Sequence, residues 1–286
     1  MDLLTLKGMI GAGDKITRSF LLQGYPVLAE AISPAVYFAA VLYWALLGYK
    51  IYGGHAALEW REILAKTVMT CGVFGALSWS GLALTIYEIF VTSMESAGGT
   101  IMGGKQSVDM LDGLMNNASA IAALLRSGGW SSFSASAEGL LILVVNCVLF
   151  VVALVYMAIS KYGLAITMLL LPLFVGFAFF EQTRQWFMNW LSMMLNFTFV
   201  YILVIAIVRL GFLAFGDYID AVGNAATFTD RVLIKYEYVN NLLILELILI
   251  IFMLQVKGWA AALSGGAAVQ GVSGLMRLAR LFKGLK

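Results

Sequence analysis

The sequence predicts an all-α polytopic membrane helix bundle, and three observations carry that prediction. Of 286 residues, 62% are hydrophobic and 12% charged, and the mean hydropathy is +0.92. Soluble domains are nearer half apolar and a quarter charged, so this chain has too few polar side chains to cover a globule in water. The apolar residues also gather into runs of about 20, the helix length that crosses a hydrocarbon core. Hydrocarbon offers backbone amides no partner, so each run is expected to be helical. The runs spread along the chain as one transmembrane domain, 34–256. An amphipathic segment, 1–33, precedes it, and a glycine-rich, basic tail, 257–286, follows.

Residues 1–33 carry Asp2, Lys7, Asp14, Lys15, Arg18 and Glu30 without a charge-free apolar core. They are not read as a cleavable signal peptide. The first span is predicted over 34–52, with Pro34 in its first turn and Lys50 near the far interface. The second, 66–90, is rich in small residues (Gly72, Gly75, Ala76, Ser78, Ser80, Gly81) that suit close helix approach. Residues 94–138 read as a polar connector punctuated by Gly98-Gly99, Gly103-Gly104, Asn116-Asn117 and Gly128-Gly129, with a short helix over 108–125. The clearest span is 139–159. After Lys161 comes a further apolar stretch, 162–180, interrupted by Pro172. Glu181 and Arg184 precede a long run over 186–215, 217–238 is a second connector, and 239–256 spans again before Lys257.

Charge placement bears on orientation. Lys50, Arg61 and Lys66 flank one connector, and Lys257, Arg277, Arg280, Lys283 and Lys286 lie at the C-terminal end. Basic segments stay cytoplasmic. Six alternating spans put these two segments on opposite faces, whereas five put them on the same face. The reading adopted is five full spans, with 162–180 a re-entrant hairpin bent near Pro172, an external N-terminus and a cytoplasmic tail. On a helical wheel the tail's Leu275, Leu278, Leu281, Phe282 and Leu285 oppose its Arg277, Arg280, Lys283 and Lys286. That pattern suits an anionic membrane surface or a docking partner.

No enzymatic chemistry is indicated. The single histidine, His55, sits beside Gly53-Gly54 in an expected loop, and Cys71 and Cys147 lie in apolar runs as small hydrophobes. No nucleophile elbow, metal-ligand spacing or phosphate-binding glycine fingerprint occurs, so no cofactor or metal is expected. Intramembrane charge is the stronger signal. Glu88, Arg209 and Glu246 lie in or at the ends of apolar runs. Charge there costs at least about 2.5–3.5 kcal/mol on insertion scales, so such groups face protein or water. Arg209 and Glu246 are expected to meet if the last two spans pack antiparallel, as a static bridge or part of a proton or ion pathway. Trp186 and Trp190 share one helix face and read as an interface anchor.

Several stretches resemble the VirB/TrbL-type polytopic inner-membrane subunit of type IV secretion systems. They are Gly48-Tyr49-Lys50-Ile51-Tyr52-Gly53, Leu170-Leu171-Pro172-Leu173-Phe174, Phe179 to Trp190 with its Thr183-Arg184 turn and Trp186-Phe187 start, and Gly265-Gly266. The Pro172 to Trp190 block is the most specific. The resemblance implies a bacterial inner-membrane channel or scaffold component that supports pilus biogenesis and DNA or protein transfer. Implied partners are the minor and major pilins, other inner-membrane secretion subunits, secretion ATPases, transient DNA or protein substrate, and membrane lipids. Members commonly have a larger periplasmic region and a longer tail, so this chain reads as compact. Small-residue faces also allow a homo-oligomeric ring. Interaction candidates are Gly98, Gly99, Asn116 and Asn117 for a periplasmic partner, and Pro172, Arg184, Trp186 and Trp190 for assembly. A small secondary transporter using Glu88, Arg209 and Glu246 is the alternative, against which stands the lack of an internal repeat.

Overall fold

The computed structural model describes residues 6–54, 59–104, 133–223 and 236–265, and every regular element among them is helical. Helix α1 runs unbroken over Leu6–Tyr52 with Pro26 and Pro34 inside it. Pro34 is therefore not in a first turn. Ser33 Oγ, beside it, donates to the Ala29 carbonyl at 2.6 Å. Such local hydroxyl bonding is how an apolar helix accommodates proline. The apolar part of α1, Gly13–Tyr52, also takes in much of the segment read as merely amphipathic.

The expected second span is broken. Helix α2, Trp60–Ala76, gives way at Leu77 and Ser78 to a π-helical turn, Trp79–Ala83, and then to α3, Leu84–Ile101. The axes before and after the break differ by 92°. Gly81 lies within the turn in a non-helical conformation, and a Cβ there would sit 2.9 Å from the Gly75 carbonyl oxygen. The break frees the Ala76 carbonyl, which accepts from the hydroxyl of the fully buried Tyr25. Trp79 packs on the same ring at 5.2 Å. Gly98 and Gly99 fall in the last turn of α3, with Gly98 buried, and not in a polar connector.

Helix α4, Phe133–Leu169, passes straight through Lys161. Residues 162–180 are thus neither a sixth span nor a re-entrant hairpin. They are the end of α4 followed by a tight turn made of α5, Leu171–Val175, and a 3-10 segment, Gly176–Ala178. Lys161 does not end the helix because it is paired: its Nζ donates to Asp14 of α1 at 2.6 Å and lies 5.9 Å from the Tyr201 ring centre. Pro172 occupies the first turn of α5, where its missing N–H is harmless. Helix α6, Glu181–Gly223, outlasts the predicted run, and α7, Tyr236–Leu263, ends the described chain.

Helices α4, α6 and α7 pack mutually, α3 lies along α6, and α1 along α4. Contacts give their directions. Thr167–Trp190 and Ser160–Phe197 make α4 and α6 antiparallel. Asn146–Glu246 and Tyr156–Lys257 make α4 and α7 parallel. Asp14–Lys161 and Gly24–Leu169 make α1 parallel to α4. Because α1 and α4 run the same way, the bent α2–α3 pair between them carries the chain back once. Among the described residues four helices are long and apolar enough to cross a membrane, and the bent pair makes five. Five crossings place the ends of α1, α4 and α7 on one face.

Replacing Tyr25 by Phe should leave the Ala76 carbonyl unpaired and lower unfolding stability by about 1–3 kcal/mol, measured by denaturant titration in detergent. Gly81→Val should do more harm than Gly72→Ala, whose added Cβ meets nothing within 4 Å. Equal stabilities for these two variants would show that the bend does not depend on a bare backbone at Gly81.

Candidate functional site

The helices bring charges together where the sequence scattered them. A cavity of about 180 Å³ opens between α1, α3 and α4, lined by Asp14, Thr17, Arg18, Tyr87, Glu88, Glu95 and Lys161. Asp14 and Arg18 are one helical turn apart, as are Thr92 and Glu95 near Glu88, so each helix presents its polar set on one side. Lys161 reaches in from α4. The lining holds three carboxylates and two cations, and Lys161 and Asp14 satisfy each other. Glu88, Glu95 and Arg18 form no ion pair among the described residues. A mixed-charge, water-accessible crevice in an apolar bundle suits a polar segment or ions better than an apolar ligand.

A second polar feature is buried. Asn146 Nδ2 on α4 donates to Glu246 Oε1 on α7 at 3.1 Å. Glu246 is 1% exposed, and its Oε2 has no partner. The expected Arg209–Glu246 pair does not form. Glu246 faces α4, whereas Arg209 lies at the other side of α6, its Nη2 3.9 Å from where a Cβ on Gly103 would stand. Sequence reasoning missed Asn146, whose amide amid 139–159 was the available signal.

The aromatic pair divides in the same way. Trp190 is 5% exposed, and its indole N–H donates to the Thr167 carbonyl in the last turn of α4 at 2.7 Å. It locks two helices together and presents no outer anchor. Trp186 is 53% exposed and sits edge-on to Phe177. Their shared face is therefore not a common interface: Trp190 is bonded to the end of α4, whereas Trp186 stays half exposed beside Phe177 of the turn. Thr183 Oγ1 closes that turn onto the Phe177 carbonyl at 2.9 Å, and Arg184 points outward. Pro172 is buried. His55, Asn116, Asn117, Arg277, Arg280, Lys283 and Lys286 lie outside the described residues. Among the described residues no three His, Cys, Asp or Glu side chains group as a metal site.

Two substitutions separate these roles. Trp190→Phe should lose the bond to Thr167, whose carbonyl keeps the Leu170 N–H, and cost about 0.5–1.5 kcal/mol of unfolding free energy. A double-mutant cycle of Asn146→Leu and Glu246→Leu should give a coupling on the order of 1 kcal/mol. A coupling near zero in the same detergent titration would mean that the Asn146–Glu246 bond does not hold α4 to α7.

A family model described as the TrbL/VirB6 plasmid conjugal transfer protein matches residues 40–256, from within α1 to within α7. The chain is also 23% identical over 183 residues to the type IV secretion system protein VirB6 of Bartonella quintana (strain Toulouse). That match covers 62% of this chain and 57% of the relative, so the chain spans little more than half of the relative's length. An all-helical, multi-pass membrane bundle matched by that model over most of its length belongs to the TrbL/VirB6 family of plasmid conjugal transfer proteins.

Proposed function

We propose that this chain is an inner-membrane component of a type IV secretion (conjugation) system, acting as a scaffold or channel subunit in pilus biogenesis and substrate transfer. The observation that carries the reading is the family match over residues 40–256, from within α1 to within α7. The chemistry is consistent with it. The polar groups hold helices to one another or line an opening, as an assembly subunit requires. In this reading the face bearing Lys50, Lys66 and Arg184 is cytoplasmic, because basic segments stay inside. The same five crossings bring the end of α7 to that face without a re-entrant hairpin. Pilins, secretion ATPases and neighbouring inner-membrane subunits are the proposed partners.

The test is genetic and biochemical. Removing the gene from a conjugative donor should bring plasmid transfer to background, and the wild-type chain supplied in trans should restore it. The chain should co-purify in mild detergent with other secretion subunits. Unchanged transfer in the deletion strain would end the proposal. Trp186→Ala should weaken that co-purification while leaving unfolding stability unaltered, since Trp186 is exposed where Trp190 is not. If Trp186→Ala instead unfolds the protein, its ring belongs to the bundle and not to assembly.

A further inference from the structure

We infer that the groove between α1, α2 and the turn before α6 is a binding site for the phosphate headgroup of an anionic phospholipid. The groove encloses about 710 Å³ and is lined by Tyr43, Leu46 and Met69 on its apolar side and by Lys50, Lys66 and Arg184 on its charged side. Each cation comes from a different element, so the fold, and not local sequence, gathers them. Among the described residues Glu181 is the one acid in the lining, against the exposed Lys50 and Arg184. Lys50 and Arg184 are exposed and form no ion pair among the described residues. Lys50 and Arg184, converging on one opening, leave an anion as the complementary ligand.

The apolar half of the groove identifies which anion. Phe179 and Phe180 pack against Tyr43 at the back, at ring-centre distances of 5.5 and 6.1 Å. Outside the groove Tyr49, Tyr52, Trp60, Leu64 and Val68 face outward, each more than 60% exposed. A free phosphate has no use for such surroundings. A glycerophospholipid matches both halves, with its phosphodiester among the cations and its acyl chains along the outward apolar side chains. The site also stands where headgroups lie, at the end of apolar helices and on the basic face of the bundle. Basic pockets between transmembrane helices on that side take anionic headgroups on the same grounds.

The full chain is reconstituted in phosphatidylcholine nanodiscs, and retention of added phosphatidylglycerol, cardiolipin or phosphatidylethanolamine is measured by native mass spectrometry. Wild type should retain the anionic lipids in preference to the zwitterionic ones. Lys50→Gln with Arg184→Gln should weaken that retention roughly thirtyfold, about fivefold for each basic residue lost. Lys257→Gln, whose cation lies over Tyr156 in another part of the bundle, should leave it unchanged. Glu181→Gln keeps Lys50, Lys66 and Arg184 and removes the opposing charge, so it should strengthen retention about fivefold; it also tests the site if the double variant fails to fold. Equal retention of anionic and zwitterionic lipid by wild type, or no response to Glu181→Gln, overturns the assignment. Complete displacement of the lipid by millimolar inorganic phosphate also overturns it, because the site then reads phosphate alone.

Discussion

Every backbone carbonyl in an apolar bundle must find a donor, and at two of the places where the described helices break an aromatic side chain supplies one. At the first break, Tyr25 donates to the Ala76 carbonyl. At the second, Trp190 donates to the Thr167 carbonyl, which also accepts from the Leu170 N–H at 3.2 Å. In water these carbonyls would bond to solvent at little cost, but in hydrocarbon each unmet group costs several kcal/mol. The donors come from helices distant in sequence, so neither break is a local feature. Each is stable only once the bundle has assembled around it. Tyr25 is 51 residues from its acceptor, and its ring also packs against Trp79, so one side chain fixes both the hydrogen bonding and the angle of the bend.

The same constraint explains which parts of the architecture were legible in the sequence. Composition and run length were enough for an all-helical membrane bundle, because they report the solvent directly. The Pro172 to Trp190 block was legible as a turn into a helix, and Thr183 and Pro172 do close that turn. The bend at Gly81 was not legible. Its small residues signalled close approach equally well for a straight helix, and only a donor from α1 decides between the two. Lys161 misled for the opposite reason. A lysine inside an apolar run reads as the end of a span, but an ion pair to Asp14 and the ring of Tyr201 hold it within a continuous helix.

Of the candidate site, single residues were legible and their grouping was not. Glu88 and Glu246 stood out as charges in apolar runs, yet they belong to different features. Glu88 lines an open cavity with Arg18 and Lys161, while Glu246 is sealed against Asn146. Charge marks a residue as expensive, but only packing tells whether water or an amide meets the expense. Arg209 and Glu246 were paired on the assumption that adjacent spans face each other with their charges. The helices are adjacent and antiparallel, as Ser192 bonded to the Ser264 carbonyl shows, but rotation about each axis turns the two side chains apart. Rotation is set by the small close contacts, such as Gly163 against the Phe197 ring, where an added Cβ would approach to 2.4 Å.

The polar groups therefore fall into two sets, and the division bears on function. Tyr25, Trp190, Ser160, Asn146 and Lys161 are used inside the bundle, each bonded across helices. Arg18, Glu88, Glu95, Lys50 and Arg184 are not used there, and they open onto two separate hollows. Nothing in the packing needs the second set, and charge at the margins of an apolar bundle is costly unless something polar meets it. A protein that worked as a sealed, solitary bundle would have no use for those five side chains. Their concentration at two openings is the arrangement expected of a subunit whose charged groups are completed by what binds it: lipid headgroups at the basic opening, and a polar segment or ions at the mixed one.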